Sequence, residues 1–401
     1  MNGTVRRLIS VGLVSILVPV SAVLADEHHR SSPVRKDRAR TSPAASRFAK
    51  IVDLIEDSNV PYIVGERRWA RLVRQHRDTI EQAATHRAFA DAVNALIRDA
   101  GVSHFQYFTD AEWQFWHMRS AFWKGDPETE VCHVGIIPER IDGRWFVRGI
   151  LEGSPAAGTR ISVGDELLTV DGEAYDPVSP FRGTADLPTV IRLRRRPGLV
   201  YSVNIVPVRE SLYDAMQEAM PRSIDIIEHD GLRMAYLHAW TMLGSGGEYK
   251  ELAKLQDRVD GLLLDYRDGF GGTWHAAERF LLGGGRRSDN RSHWQKPVVI
   301  LIADGTRSAK EIVVDAVQTA GRAPLIGEPT PGHVTSVGAI RRVGKDGLLE
   351  LPGQTFSLEG NPTMPDYPVE RRLPYCAGAD PQMRKAKQVL SRLIREAQTR
   401  G

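Results

Sequence analysis

Two short apolar runs constrain this chain most: GLLLDYR at 261–267 and VVILIADGTR at 298–307. Each reads as a buried strand that ends abruptly in small and polar residues and is followed by a helical pattern. The first enters Asp268-Gly269-Phe270-Gly271-Gly272 and then AAERFLL, and the second enters SAKEIVVDAVQTAG, with Ile312, Val313, Ala316 and Val317 on one face and Gly321 at its end. With LRMAYLHAW as a further strand and DPQMRKAKQVLSRLIREAQ as a closing amphipathic helix, residues 210–401 alternate strand and helix. That alternation predicts an α/β layer fold.

The preceding segments follow other periods. Residues 46–128 carry apolar residues three and four apart in FAKIVDLIEDSNV, RRWARLVRQHRDTI and HRAFADAVNALIRDAG, which predicts a helical N-terminal region. Residues 129–209 switch to short strand-like runs, WFVRGI, ELLTVDG, VIRLRRR and YSVNIVPV, separated by turns. Residues 26–45 are polar and aperiodic, as in a flexible linker. Residues 1–25 place Arg6 and Arg7 before an apolar stretch ending Val23-Leu24-Ala25, the form of a cleaved signal peptide; if uncleaved, it is the chain's one expected contact with a membrane. The expected location is therefore periplasmic or extracellular.

Charge excludes one class of partner. The 53 basic and 50 acidic residues leave a net charge of only +3, spread along the chain, so no nucleic-acid partner is expected. Neither Cys132 nor Cys376 has a second cysteine at ligand spacing, so both read as structural thiols and no metal is expected.

Ser308 sits where a strand runs out and a helix begins. Unbonded N–H groups and the helix dipole gather at such a point and favour an oxyanion. Serine is also a good helix N-cap, and that alone explains its presence. The Gly271-Gly272 pair after the earlier strand lets backbone approach a ligand and aim N–H groups at it.

Two resemblances follow from these motifs. Gly153-Ser154-Pro155-Ala156-Ala157, Gly164-Asp165-Glu166-Leu167-Leu168 and Val170-Asp171-Gly172 resemble a PDZ domain of the bacterial protease type. This implies recognition of a partner's C-terminal segment by strand addition, with the terminal carboxylate held by the Val134-Gly135-Ile136 loop. The Asp265-to-Gly272 turn, Ser308-Ala309-Lys310-Glu311, Gly321-Arg322, Gly327-Glu328-Pro329-Thr330 and Met364-Pro365-Asp366 resemble the tail-specific (carboxy-terminal processing) serine protease family, peptidase family S41. That resemblance implies a crotonase-like α/β catalytic core with an inserted PDZ domain and a helical N-terminal region. It further implies Ser308 as nucleophile, with Gly271, Gly272 and Ala309 as the oxyanion hole.

The chain departs from the family at the general base. Where the processing branch has a lysine, this sequence has His333, and Lys310 sits on another face of the helix from Ser308. His333 can serve as base in the lysine's place. Alternatively, Gly101-Val102-Ser103-His104 is similar to the histidine-bearing segment of the tricorn-like branch, with His104 as base and an acid near Glu359 or Asp366. The expected function is an exported serine endopeptidase acting on proteins or peptides with exposed C-termini, without a cofactor; the rival is an inactive PDZ adaptor.

Overall fold

The computed structural model describes residues 42–283 and 293–400. The expected signal segment and the linker up to residue 41 lie outside the described residues. The first helix, Pro43–Glu56, begins inside the stretch expected to be linker, because Ser42 caps it and Pro43 takes its first turn.

A six-stranded sheet runs in the order Asp225–His229, Leu232–His238, Gly261–Asp265, Val298–Ile302, Leu325–Gly327, Tyr367–Pro368. Its first pair is antiparallel and the others are parallel. The apolar runs are buried on both faces, which is why they show no alternation of polarity. Leu262, Leu264, Val298, Ile300 and Ile302 pack with Phe280, Val313 and Val317. Leu263, Val299 and Leu301 face the other way, onto Ala386, Val389, Leu390 and Ile394 of the C-terminal helix Pro381–Arg400. Helices on both faces fix the strand ends in place.

The strands at 131–210 form a separate sheet in the order Ile136–Ile141, Arg144–Ile150, Glu166–Val170, Thr189–Arg196, Leu199–Ile205. The chain enters and leaves this module through two paired strands, Val131–His133 and Val208–Glu210. Asp171 and Gly172 both have positive φ, at 50° and 88°, as a tight hairpin demands. The Ser-Pro step opens only a short 3-10 turn, Pro155–Gly158.

The third sheet was not foreseen. Gln106–Thr109, inside the region expected to be helical, pairs with Gly347–Thr355, which pairs in turn with Thr335–Arg342. Four helices, Pro43–Glu56, Val60–Val64, Glu66–Glu81 and His86–Ala100, precede that strand, and their core includes Val343, Leu349 and Leu351 of the late hairpin. The helical region is thus not packed as an independent unit. Pairing of Gln106 with Glu350 brings the segment around His104 against the last third of the chain.

Candidate active site

Ser308 closes the turn after Val298–Ile302 and stands at the N-cap of Ala309–Thr319. Its backbone has φ 60° and ψ −129°, a region that non-glycine residues rarely enter. Such a conformation persists only where the surroundings hold it, and here they do. Ser308 N–H donates to the His333 carbonyl at 3.0 Å and to Glu311 Oε2 at 3.3 Å. Ser308 Oγ stands toward the Glu311 N–H as in a capping box but makes no cap hydrogen bond, since that N–H already bonds the Ser308 carbonyl at 2.9 Å. The N-cap role therefore leaves the hydroxyl unspent.

Glu311, 1 % exposed, also accepts from Gly332 N–H at 2.6 Å and His333 N–H at 2.7 Å. One buried carboxylate thus joins the 332–333 loop to the turn that carries Ser308.

The glycine turn meets the serine from the neighbouring strand end. Phe270 N–H bonds the Trp240 carbonyl at 2.7 Å, Met242 N–H bonds the Gly271 carbonyl at 2.9 Å, and Thr273 N–H bonds the Met242 carbonyl at 2.9 Å. Gly272 lies opposite Met242 in a parallel bridge, so its own N–H points away from that partner. Among the described residues, the N–H groups of Gly271, Gly272 and Ala309 donate to no backbone or side-chain acceptor, and all three residues line one cavity with Ser308. A methyl on Gly271 would lie 2.6 Å from Ser308 Cβ and 2.9 Å from both Ser308 Oγ and the Ala309 nitrogen. Only glycine allows that approach.

The cavity, of about 300 Å³, has His104 and Arg307 in its wall, with apolar side chains such as Phe108, Met118, Phe122 and Val337. Glu350 also lines it, and burial pushes its carboxyl up to about 7 against a smaller opposing pull from Arg307.

His104 is 7 % exposed and has φ 54°. Its Nδ1 lies 3.2 Å from Ser103 Oγ, which in turn lies 2.9 Å from Glu359 Oε2. The hydroxyl gives its one hydrogen to the carboxylate, so Nδ1 carries the proton it shares with Ser103 and Nε2 is left as a proton acceptor. Glu359 also accepts from Ser103 N–H at 3.2 Å and from Val334 and Thr335 N–H at 2.7 Å each. Burial pushes the Glu359 carboxyl up, but these donors outweigh it and hold it below the usual carboxylate range. Burial and then Arg307 push the His104 imidazole down to about 3, against the pull of Glu359, so the resting ring is neutral. Neither imidazole bonds Ser308 Oγ in this resting arrangement, among the described residues.

The structure separates the two histidines. His104 lines the cavity and has a half-buried hydrogen-bonded partner in Ser103; His333 is exposed, does not line the cavity and meets Ser308 through its backbone carbonyl. Asp366 lies elsewhere, accepting from Leu325 N–H at 2.7 Å at the sheet edge. Lys310 is fully buried and turned from the cavity. In the β module, Val134 and Gly135 are buried, Ile136 opens the edge strand, and Gly135 N–H donates to His133 Nδ1 at 3.1 Å. That hydrogen bond occupies the Gly135 amide in this structure. Cys132 and Cys376 are both free thiols.

Sequence reasoning gave Ser103 no role and passed over Glu311 as an anchor. The Ser103-His104 pair ahead of a strand was the available signal for the first; nothing local marked the second.

Residues 233–366, which contain Gly271, Gly272, Ser308 and Glu359, match the model of peptidase family S41. Over these residues the chain is similar to peptidase family S41. Members of this family are serine-type peptidases. A tricorn protease homolog of Streptomyces coelicolor, homolog 2, is 27% identical over 315 residues, covering 71% of this chain and 26% of that protein. A carboxy-terminal-processing protease of Bartonella bacilliformis is 27% identical over 258 residues, covering 56% of this chain and 58% of that protein. The chain thus spans about a quarter of the first relative and rather more than half of the second. The solved structure of mature CPAF complexed with lactacystin shares the fold, with a TM-score of 0.51 at 12% identity over 88% of this chain and all of that one.

Proposed function

We propose that this chain is a serine endopeptidase in which Ser308, His104, Ser103 and Glu359 act as one set. Ser308 Oγ attacks the peptide carbonyl while its proton passes to His104 Nε2. The tetrahedral oxyanion is received by the N–H groups of Gly271, Gly272 and Ala309. Its collapse breaks the C–N bond, the imidazolium returns its proton to the leaving amine, and water then releases the acyl group by the same steps. Ser103 passes the charge of Glu359 to the imidazole as it becomes cationic. The observation that carries this reading is the His104–Ser103–Glu359 hydrogen-bond chain in the wall of the cavity that Ser308 lines.

In the same reading the chain is exported through residues 1–25 and acts on protein substrates outside the cytoplasm. The β module is of PDZ type, and its edge strand Ile136–Ile141 accepts a substrate segment by strand addition. Because the Gly135 amide is already bonded, binding tolerates amidation of the peptide's C-terminus. Hydrolysis of an unfolded protein substrate by the wild type and by Ser308→Ala tests the central reading. Loss of cleavage in the variant supports it, and equal cleavage, or none by either protein, removes it.

A further inference from the structure

The most deeply buried cation near the site is the amine of Lys310, two residues beyond the proposed nucleophile. Its side chain is 0 % exposed. Nζ donates to the Ala239 carbonyl at 2.5 Å and also to the Asp268 carbonyl. Those carbonyls belong to different segments. Ala239 follows the strand Leu232–His238, and Asp268 follows Gly261–Asp265 and begins the glycine turn. Lys310 itself belongs to the first turn of the helix that Ser308 caps. One amine therefore ties together the three chain segments whose relative position decides whether Gly271 and Gly272 face Ser308.

We propose that Lys310 is the positioning residue of the oxyanion turn, its Nζ fixing the carbonyls of Ala239 and Asp268 so that the N–H groups of Gly271 and Gly272 stay turned toward Ser308. The inference rests on the peptidase reading above and adds a residue to it.

Three features support this role over simple filling of the core. First, an apolar residue fills buried space at less cost than a cation, so a buried ammonium is kept where its donors are used. Second, neither recipient is a carboxylate: the side chain of Asp268 is already held by Arg148 at 2.6 Å and Arg371 at 2.8 Å, and that of Asp265 by Arg267. The amine is thus directed at backbone, where it sets chain position. Third, the other bonds of the turn begin where Lys310 leaves off. Phe270 N–H on Trp240 and Met242 N–H on the Gly271 carbonyl continue the pairing of the two loops that the amine closes at Ala239 and Asp268.

The titratable groups facing the amine are Asp268, Asp265 and Tyr266, whose ring centre lies 6.0 Å away. The 239–243 segment carries no ionisable side chain. Burial pulls the amine down to about 7 against the upward pull of the two aspartates, so its charge is lost within the range of an ordinary assay. Charge-assisted bonds weaken as it goes.

The test is the rate of Ser308 acylation by a fluorophosphonate, followed with peptide turnover from pH 5 to 9, in the full chain and in Lys310→Met. The wild type is expected to lose at least half its acylation rate as pH rises from 7 to 9, with KM for a peptide unchanged. Lys310→Met is expected to acylate at least tenfold more slowly at pH 6.5, with KM within twofold and without that alkaline fall. Lys310→Arg, which retains charge and donors, is expected to recover part of the rate. If Lys310→Met does not fold, Lys310→Leu takes its place and is read in the same way: acylation by the folded variant at the wild-type rate overturns the inference. Acylation of Lys310→Met at the wild-type rate overturns it too. Absence of labelling in the wild type would instead strike the peptidase reading, and the two failures stay distinct.

Discussion

Ser103 Oγ lies 2.9 Å from the Glu359 carboxylate across 256 positions of sequence, and on its other side it is 3.2 Å from His104 Nδ1. Among the described residues, no other hydroxyl bridges that imidazole and that acid. Replacing Ser103 by Ala is expected to lower kcat by about 10- to 100-fold, the worth of a hydrogen bond to a charged group at about 1.5–3 kcal/mol. Glu359 keeps its Val334 and Thr335 donors, so the melting temperature should change little. Steady-state kinetics with a peptide substrate, beside a thermal melt, checks both parts.

Gly271→Ala places a methyl against Ser308 Cβ, Ser308 Oγ and the Ala309 nitrogen. The contact cannot be relieved by a flexible side chain, since Ser308 and the start of its helix must move. Loss of one oxyanion donor costs about 3 kcal/mol of barrier. The variant is expected to show at least a 100-fold lower kcat with near-native circular dichroism.

The acid limb of activity depends on His104. Its imidazole is held down to about 3, so the neutral base persists as pH falls through 6.5, and activity should survive to about pH 4. Arg307 contributes to that depression, so Arg307→Gln is expected to move the acid limb toward higher pH. Stability runs in a defined direction as well. The unfolded chain takes up the His104 proton near 6.5 and the folded chain only near 3, so this residue's contribution is lost as pH falls through that window. Profiles of kcat/KM from pH 3 to 8, with urea melts at pH 4 and 7, test these signs.

Glu311 accepts from Ser308, Gly332 and His333. Ser308 N–H keeps the His333 carbonyl, but Glu311→Ala leaves the N–H groups of Gly332 and His333 unpaired, at a cost of about 1–3 kcal/mol for a buried one. A drop in melting temperature of several degrees together with loss of labelling at Ser308 is expected, because the same carboxylate holds the His333 loop and the turn of Ser308.

The α/β core and its serine turn were legible because their signal is local: unbroken apolar runs such as VVILI, then a turn, then a helical pattern. The second half of the site was not, because it depends on non-local pairing. Gln106–Thr109 is four residues long and carries no alternation that marks a strand, yet its register with Glu350 delivers Ser103 and His104 to Glu359. The choice between His104 and His333 was open in the sequence for the same reason. His333 is near Ser308 along the chain and contributes a carbonyl; His104 is distant along the chain and contributes its ring to the cavity. Lys310 is turned from the cavity, but its two carbonyl partners lie in the loops after two other strands and leave no trace in its neighbours.

The most direct test of the account is the rate of fluorophosphonate labelling at Ser308 in the wild type, His104→Ala and His333→Ala, at pH 7 with each protein shown to be folded. The account predicts a labelled wild type, His104→Ala slower by at least 1,000-fold, roughly 4 kcal/mol of barrier, and His333→Ala within about threefold of wild type. Labelling that survives in His104→Ala and disappears in His333→Ala would contradict it.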